Sequence, residues 1–338
     1  MNSSDAKICI LPPTLGLGGP ASFQAGLIRV FKAAGVSVSH DPYQADLSAI
    51  LVFGAGAEPG ALRIAQRAGV RVVQRLNGMN WVHRRKFTGV RHFIKAEAGN
   101  FKLRKMRDMA DRVIYQSRFA REWWERENGI LEKPKVVIHN GVDLDLFAPG
   151  PLQRPADRYR VLMVEAHHGG GYDQGLRSGV ELVARLNGQL DKPVELVVVG
   201  DVPPGLRQRF DQSFITWLGV VDHAMIPEID RSAHLFFSGD INAACPNAVL
   251  ESLACGLPVV AYDTGAMAEL VPSSVGRLAP YGGNVWKLEQ PDLNTLVQAA
   301  REVLTSTANF TLAARQHAES HFDIRNEAEC YLNFLLED

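Results

Sequence analysis

One carboxylate, Glu251, interrupts the otherwise apolar run Val249-Leu250-Glu251-Ser252-Leu253-Ala254 that follows Cys245-Pro246-Asn247. A lone Glu on such a helix is either solvated on its outer face or turned toward a ligand. Two glycine-rich loops stand elsewhere in the chain, Gly16-Leu17-Gly18-Gly19-Pro20 and His167-His168-Gly169-Gly170-Gly171. Each follows an apolar run and precedes a helical pattern, so its backbone N–H groups can meet an anion at a helix N-terminus. Tight turning alone explains the same glycines. Asn77 and Asn80, in Gln74-Arg75-Leu76-Asn77-Gly78-Met79-Asn80, are able to hydrogen-bond sugar hydroxyls or simply to form a turn. His83 lies close by and is a further polar candidate.

The elements that position these residues alternate between strand and helix. Pro246 suits a first helical turn, Gly256 ends that helix, and Pro258 blocks its continuation. Val259-Val260-Ala261 is then an apolar run of the kind shown by a strand covered on both faces. Short strands are predicted at Ile8–Leu11, Val36–Ser39, Ala49–Phe53, Val70–Val73, Tyr159–Val164, Glu195–Gly200, Ile215–Gly219 and Leu235–Phe237. Helices between them imply parallel sheets with crossover connections. The Pro-Gly cluster Phe147-Ala148-Pro149-Gly150-Pro151 marks a change of domain. The organisation expected is residues 1–149, residues 150–321, and a last helix, 322–338, that crosses back to the first domain.

Length and composition narrow the function classes. A chain of 338 residues has the size of two domains, with 46% apolar and 22% charged residues. A net charge of −1 gives no global attraction to nucleic acid. The cysteines Cys9, Cys245, Cys255 and Cys330 lack metal-ligand or disulfide-framework spacing, which fits thiols in a reducing cytoplasm. No run approaches the ~20 apolar residues of a spanning helix, and the polar start, Met1 to Lys7, does not resemble a signal peptide. Residues 84–107 are locally basic with interleaved Phe87, Phe93 and Phe101. That composition fits peripheral contact with a membrane surface or an anionic acceptor, and equally a pair of helices with solvated basic faces.

The segment "CPNAVLESLACGLPVVAYDTGAMAELV", with "GLGGPASF" and "VIHNGVDLDLFAPG", resembles retaining glycosyltransferases of family 4. The resemblance implies an α/β chain of GT-B architecture, two Rossmann-like domains with parallel sheets facing across a cleft. It implies sugar transfer, with retention, from a nucleotide-sugar such as a UDP- or GDP-hexose to a glycan, lipid or protein acceptor. Glu251 would hold the ribose. Gly18, Gly19, His168, Gly169 and Gly170 would take phosphates and sugar, and Pro246 and Asn247 would shape the sugar pocket. No cofactor and no metal are implied, and no Asp-x-Asp motif is followed by ligand spacing. Two departures stand out. The loop "EAHHGGGYDQG" lacks the family's Arg/Lys pair, leaving His167, His168 or Arg177 to stand in, and Ala243 occupies the position of the first Glu. They open an alternative, a non-catalytic protein of the same fold that binds nucleotide or glycan. The expected location is the cytoplasm, including the inner membrane surface.

Overall fold

A computed structural model describes residues 6–15, 18–151, 154–169 and 173–337. They form two compact units. The first runs to Arg84, continues through Gly89–Gly141, and resumes at Ile324. The second takes Arg85–Thr88 and Val142–Asp323.

In the first unit the strands are β1 (Lys7–Leu11), β2 (Ser37–Ser39), β3 (Ala49–Phe53), β4 (Arg71–Leu76), β5 (Arg112–Tyr115) and β6 (Lys135–Val137). They make one parallel sheet in the order β2-β1-β3-β4-β5-β6. All five residues of β3 are buried, as an apolar strand between two helical layers requires. The helices are α1 (Gly19–Ala33), α2 (Pro59–Arg67), α3 (Val90–Met109) and α4 (Arg118–Asn128). Ser117 caps α4, its hydroxyl accepting from Ala120 N–H at 3.0 Å. Both Trp123 and Trp124 are buried there. The basic region holds one long helix, α3, after a short 3-10 turn, where a pair of helices was one expectation.

The C-terminal helix, Ile324–Leu336, belongs to this first unit. Tyr331 and Leu335 sink into the core beside Phe23 and Phe31. Its last turn is capped by strand arginines. Arg71 donates to Leu335 O and Arg112 to Phe334 O, each at 3.0 Å, satisfying carbonyls that a helix end leaves unpaired.

The second unit has β7 (Tyr159–His167), β8 (Val194–Asp201), β9 (Ile215–Gly219), β10 (Leu235–Ser238), β11 (Val259–Tyr262) and β12 (Gly276–Ala279). Its sheet is also parallel, in the order β12-β11-β10-β7-β8-β9. Its helices are α5 (Asp173–Leu186), α6 (Pro204–Phe210), α7 (Ile226–Arg231), α8 (Asn247–Ala254), α9 (Met267–Leu270), α10 (Leu293–Thr305) and α11 (Thr307–His321). The unit begins at Val142, ahead of the Pro-Gly cluster. Val142 N–H donates to Phe322 O at 2.7 Å, Phe147 is buried, and Arg315 donates to Phe147 O at 2.7 Å. These contacts tie residues 142–149 to the second unit.

Asp230, at the end of α7, is 1% exposed, and no nitrogen or hydroxyl donor reaches its carboxyl oxygens among the described residues; only the Cys255 thiol, a weak donor, faces it. Burial, and then the charge of Glu251, push its pKa well above the usual carboxylate range. The folded chain therefore holds a proton that the unfolded chain releases above about pH 4. A raised carboxyl pKa makes folding progressively less favourable as pH rises toward the folded value, by about 1.4 kcal/mol per pH unit. The Asp230→Asn variant escapes that penalty. Its melting temperature relative to wild type should climb between pH 5 and pH 8 in differential scanning fluorimetry. A difference that stays constant across that range would mean Asp230 is ionised in the fold.

Candidate functional site

The strand order of the second sheet places β7 between β10 and β8, so the loops leaving β7 and β10 depart to opposite sides. Such a switch point, at the carboxyl ends of parallel strands, is where open α/β sheets bind ligands. Three loops meet there because glycine lets backbone touch backbone. A Cβ on Gly175, in the first turn of α5, would lie 2.4 Å from Gly239 O, just after β10. A Cβ on Gly265, whose φ is +62°, would lie 2.6 Å from Ala243 N and O. Ala266 N–H donates to Ala243 O at 2.9 Å, which fixes the loop after β11 against the loop after β10. Ala243 itself is buried in this contact.

Glu251 lies on α8 and is 7% exposed, so the solvated reading of this residue does not describe it. Its Oε1 meets His223 Nε2 at 2.8 Å. The His223 ring rests on Phe147 with centroids 5.2 Å apart. The hydrogen bond to Glu251, working against partial burial, raises the pKa of His223. Nothing in the sequence singles out His223, which stands 28 residues away in a 3-10 turn, His223–Met225. Pro246 and Asn247 open α8 beside it.

Two further polar groups at this edge are buried without partners among the described residues, Asn242 Nδ2 and Thr264 Oγ1. Asn242 adopts φ +59°, a left-handed conformation that turns the loop after β10. Glu165, at the end of β7, and Asp240, after β10, are neighbouring acids. Burial raises both pKa values, and the charge of Asp240 raises that of Glu165 further.

The glycine loop after β7 is described up to Gly169; Gly170 lies outside the described residues. His168 does not supply a cation to this loop. It is 3% exposed, its Nε2 is 3.0 Å from Val199 O, and burial lowers its pKa. His167 is exposed, with Nδ1 2.7 Å from Asp201 Oδ2. Cations gather instead at Asp173, the first residue of α5. Lys86 Nζ is 2.6 Å from its Oδ1, and Arg209 Nη1 is 4.0 Å from its Oδ2.

In the first unit Gly18 (φ +99°) precedes α1, and Gly19 is its first residue. Asn77 follows β4 at the carboxyl edge of that sheet. His83 is buried, with Nε2 2.8 Å from Glu97 Oε1 and its ring 5.1 Å from that of Phe93. Arg84 donates to the same carboxylate at 2.6 and 2.8 Å, and this bidentate pairing, with help from His83, lowers the Glu97 pKa to about 2. His83 is thereby a pin between α3 and the turn before it, not a group open to substrate. Beside α3 lies a groove of about 870 Å³ whose lining includes Met79, Phe93, Ile94, Phe101, Arg104 and Lys105.

The His223–Glu251 pair gives a pH signature. A raised histidine pKa means the stabilisation is fully present below the unfolded value near 6.5 and is lost as pH rises through the folded value. The pair is half exposed on the His223 side, so its contribution is at most about 1 kcal/mol. In thermal melts, wild type should exceed His223→Gln most at pH 6 and converge with it by pH 9. A gap independent of pH would contradict the pairing.

The chain matches two family models, Glycosyltransferase Family 4 over residues 21–146 and Glycosyl transferases group 1 over residues 160–306. It is similar to the phosphatidylinositol N-acetylglucosaminyltransferase gpi3 subunit of Schizosaccharomyces pombe, 26% identical over 165 residues, 46% of this chain and 35% of that one. It is also similar to a GDP-mannose-dependent α-(1-6)-phosphatidylinositol dimannoside mannosyltransferase of Mycobacterium tuberculosis, 30% identical over 181 residues, 50% of this chain and 45% of that one. The matches therefore span less than half the length of these relatives. Among solved structures, the fold is shared with sucrose-phosphate synthase of Thermosynechococcus elongatus at TM-score 0.74 and 19% identity, over 97% of this chain and 98% of that one. It is shared as well with WaaG, a glycosyltransferase of lipopolysaccharide biosynthesis, at TM-score 0.70 and 14% identity, over 98% of this chain and all of the other. Two parallel Rossmann-like sheets, the α8 segment around Glu251, and a family model over each half agree, and the chain is a divergent member of glycosyltransferase family 4 with the GT-B fold.

Proposed function

We propose that this chain transfers a glycosyl group, with retention and without a resident metal, from a nucleotide-sugar to a hydroxyl of its acceptor. The observation that carries this reading is the set of polar groups at the carboxyl edge of the second sheet. Asn242 Nδ2 and Thr264 Oγ1 are buried and unpartnered among the described residues, beside the loop that leads to Glu251. Buried polar groups are costly unless hydrogen-bonded, and a hydroxyl-rich sugar nucleotide supplies the missing donors and acceptors. A carboxylate at Glu251 accepts from two adjacent ribose hydroxyls, with His223 holding its orientation. The dipoles of α5 and α8 favour the diphosphate at their N-termini. Arg209 and Lys86 add positive charge at α5 that the loop itself lacks. Stabilising the departing diphosphate is the largest demand of the reaction. The bond from the anomeric carbon to phosphate oxygen breaks, a bond to the acceptor oxygen forms, and the acceptor proton leaves with the diphosphate.

The experiment is a thermal-shift titration with UDP and GDP, followed by sugar-transfer and donor-hydrolysis assays. Ligand bound only to the folded state raises the melting point. Glu251→Ala and Glu251→Gln should weaken nucleotide binding about tenfold or more, the scale of hydrogen bonds to a charged group. Unchanged affinity in both would remove Glu251 from the site. Nucleotide binding without any sugar release would identify a binding protein instead.

For the acceptor side we propose contact with a membrane surface through α3. This helix is apolar on two faces. Ala96 and Met106 turn inward, whereas Val90, Ile94 and Phe101 are exposed on the opposite side at helical spacing. Arg91, Lys95, Lys102, Arg104 and Lys105 are exposed around them. Apolar residues framed by cations suit an anionic lipid interface. The double variant Ile94→Ser, Phe101→Ser should lose about tenfold or more in co-sedimentation with vesicles containing phosphatidylglycerol. Retention of wild-type sedimentation would refute the contact.

A further inference from the structure

Four side chains at the carboxyl edge of the first sheet close a hydrogen-bonded ring. Arg75, in β4 and 0% exposed, donates Nη1 to Asn77 Oδ1 at 2.7 Å and Nη2 to Asn140 Oδ1. Asn140 donates Nδ2 to Gln116 Oε1 at 3.3 Å. Gln116 donates Nε2 back to Asn77 Oδ1 at 2.6 Å, and the ring is complete. A guanidinium only donates, so the two asparagine oxygens must face it. The sense of every other amide then follows: Asn140 has only its NH₂ left for Gln116, and Gln116 has only its NH₂ left for Asn77. Donor and acceptor chemistry alone thereby fixes the orientation of each amide.

The consequence falls on Asn77. Its Oδ1 accepts twice, so Nδ2 with both protons points away from the ring. Trp124 Nε1 donates to Asn77 O at 2.8 Å and holds the backbone as well. Arg75, Gln116 and Asn140 are buried, whereas Asn77 is half-buried, and its Nδ2 has no partner among the described residues.

Arg75 has an unusual electrostatic situation. Its Nε donates to Tyr331 Oη at 3.1 Å, and its guanidinium carbon lies 4.8 and 4.9 Å from the ring centroids of Phe23 and Phe53. No carboxylate pairs with it among the described residues. A guanidinium stays charged in proteins, and burying it without an anion is unfavourable. Amide oxygens and aromatic faces compensate part of that cost. Arg75 is itself wholly buried, and Asn77, which accepts from it, is the member of the ring that reaches the surface.

The geometry points to an oxyanion site at Asn77, at which Nδ2 donates to a phosphate oxygen of the ligand. Arg75 supplies the positive field, and Gln116 and Asn140 act as positioning residues that set the amide. The site rests on the reading of this chain as a transferase, and it makes the acceptor a phosphate-bearing molecule. A donor held in place before binding costs little reorganisation, so selectivity for phosphate follows from the ring and not from loop closure.

The test follows the Asn77 side-chain amide in ¹⁵N-resolved NMR spectra of the full chain, assigned by its absence in Asn77→Asp. Inorganic phosphate and glycerol 3-phosphate should both move that resonance, and glycerol at the same concentration should not. Tighter binding of the ester assigns the site to a phosphorylated headgroup; tighter binding of inorganic phosphate assigns it to the free anion. Asn77→Asp, which keeps an acceptor for Arg75 but has no donor, should raise the dissociation constant for glycerol 3-phosphate by about tenfold or more. Gln116→Glu keeps Asn77 but calls its NH₂ inward, and should cause the same loss with UDP binding unchanged. Asn77→Ser serves if Gln116→Glu does not fold. An unmoved resonance, or wild-type affinity in Asn77→Asp, overturns the site. Wild-type affinity in folded Gln116→Glu overturns the positioning role. Phosphate binding at Asn77 in a protein whose melting point neither UDP nor GDP raises would sink the transferase reading and leave the oxyanion site standing.

Discussion

A parallel sheet covered on both faces has only its ends to offer a ligand, and both units of this chain live under that constraint. Strand β3 is buried throughout, as are β10 and β11. Polar chemistry is therefore excluded from the strand centres and collects where the chain leaves the sheet. In the second unit the collection is Glu251, His223, Asn242 and Thr264. In the first it is the Arg75 ring. The glycines at 175, 239 and 265 serve the same constraint, since they let three loops approach until backbone meets backbone. Any side chain at those positions would force the loops apart and spread the polar groups.

Buried charge is handled in three distinct ways. Glu251 has a histidine partner at 2.8 Å. Asp230 has no ion-pair partner among the described residues, and burial pushes its pKa well above the usual carboxylate range. Arg75 cannot lose its charge, so it is surrounded by amide oxygens, a phenol and two aromatic rings. Each solution follows from what the group is able to do: a carboxylic acid titrates into a neutral form within reach of burial, and a guanidinium does not. Asp230 also illustrates the cost of two acids near each other, since the charge of Glu251 adds to burial in raising its pKa.

The alternation of apolar runs with helical periods makes the two sheets legible, because burial on both faces writes itself into the strands. The α8 segment is legible for a related reason: Pro246, Gly256 and Pro258 punctuate it. What escapes is pairwise. His223 reaches Glu251 across 28 residues, and the Arg75 ring joins residues 75, 77, 116 and 140. No local pattern encodes such contacts, because each partner is set by strand order. Two histidines mislead for the opposite reason. His83 and His168 stand in polar surroundings in sequence, which suggests accessible rings, yet strand register and helix packing bury both. The unit boundary at Val142 precedes the Pro-Gly cluster because Phe147 is a core residue, which composition does not reveal.

The two departures from the family bear on charge more than on shape. Ala243 sits buried under Gly265, so the loop after β10 keeps its path without the carboxylate. At the phosphate end the imidazole of His168 faces Val199 and burial favours its neutral form, so it cannot replace a guanidinium. The positive charge at α5 comes instead from Lys86 and Arg209, and both are engaged with Asp173. Two cations share one carboxylate there, so part of their charge is already committed before a second anion arrives. A diphosphate competing with Asp173 would redistribute those cations, and an ammonium on a flexible stem moves more readily than a fixed guanidinium fork. Binding a doubly charged group by releasing an internal ion pair is weaker than binding it with uncommitted arginines. It is also more sensitive to salt, because the exchange involves partly exposed charges that screening reaches. A diphosphate bound at the start of α5 would therefore be held with a strength set by Asp173, a residue that carries the wrong charge to touch phosphate itself.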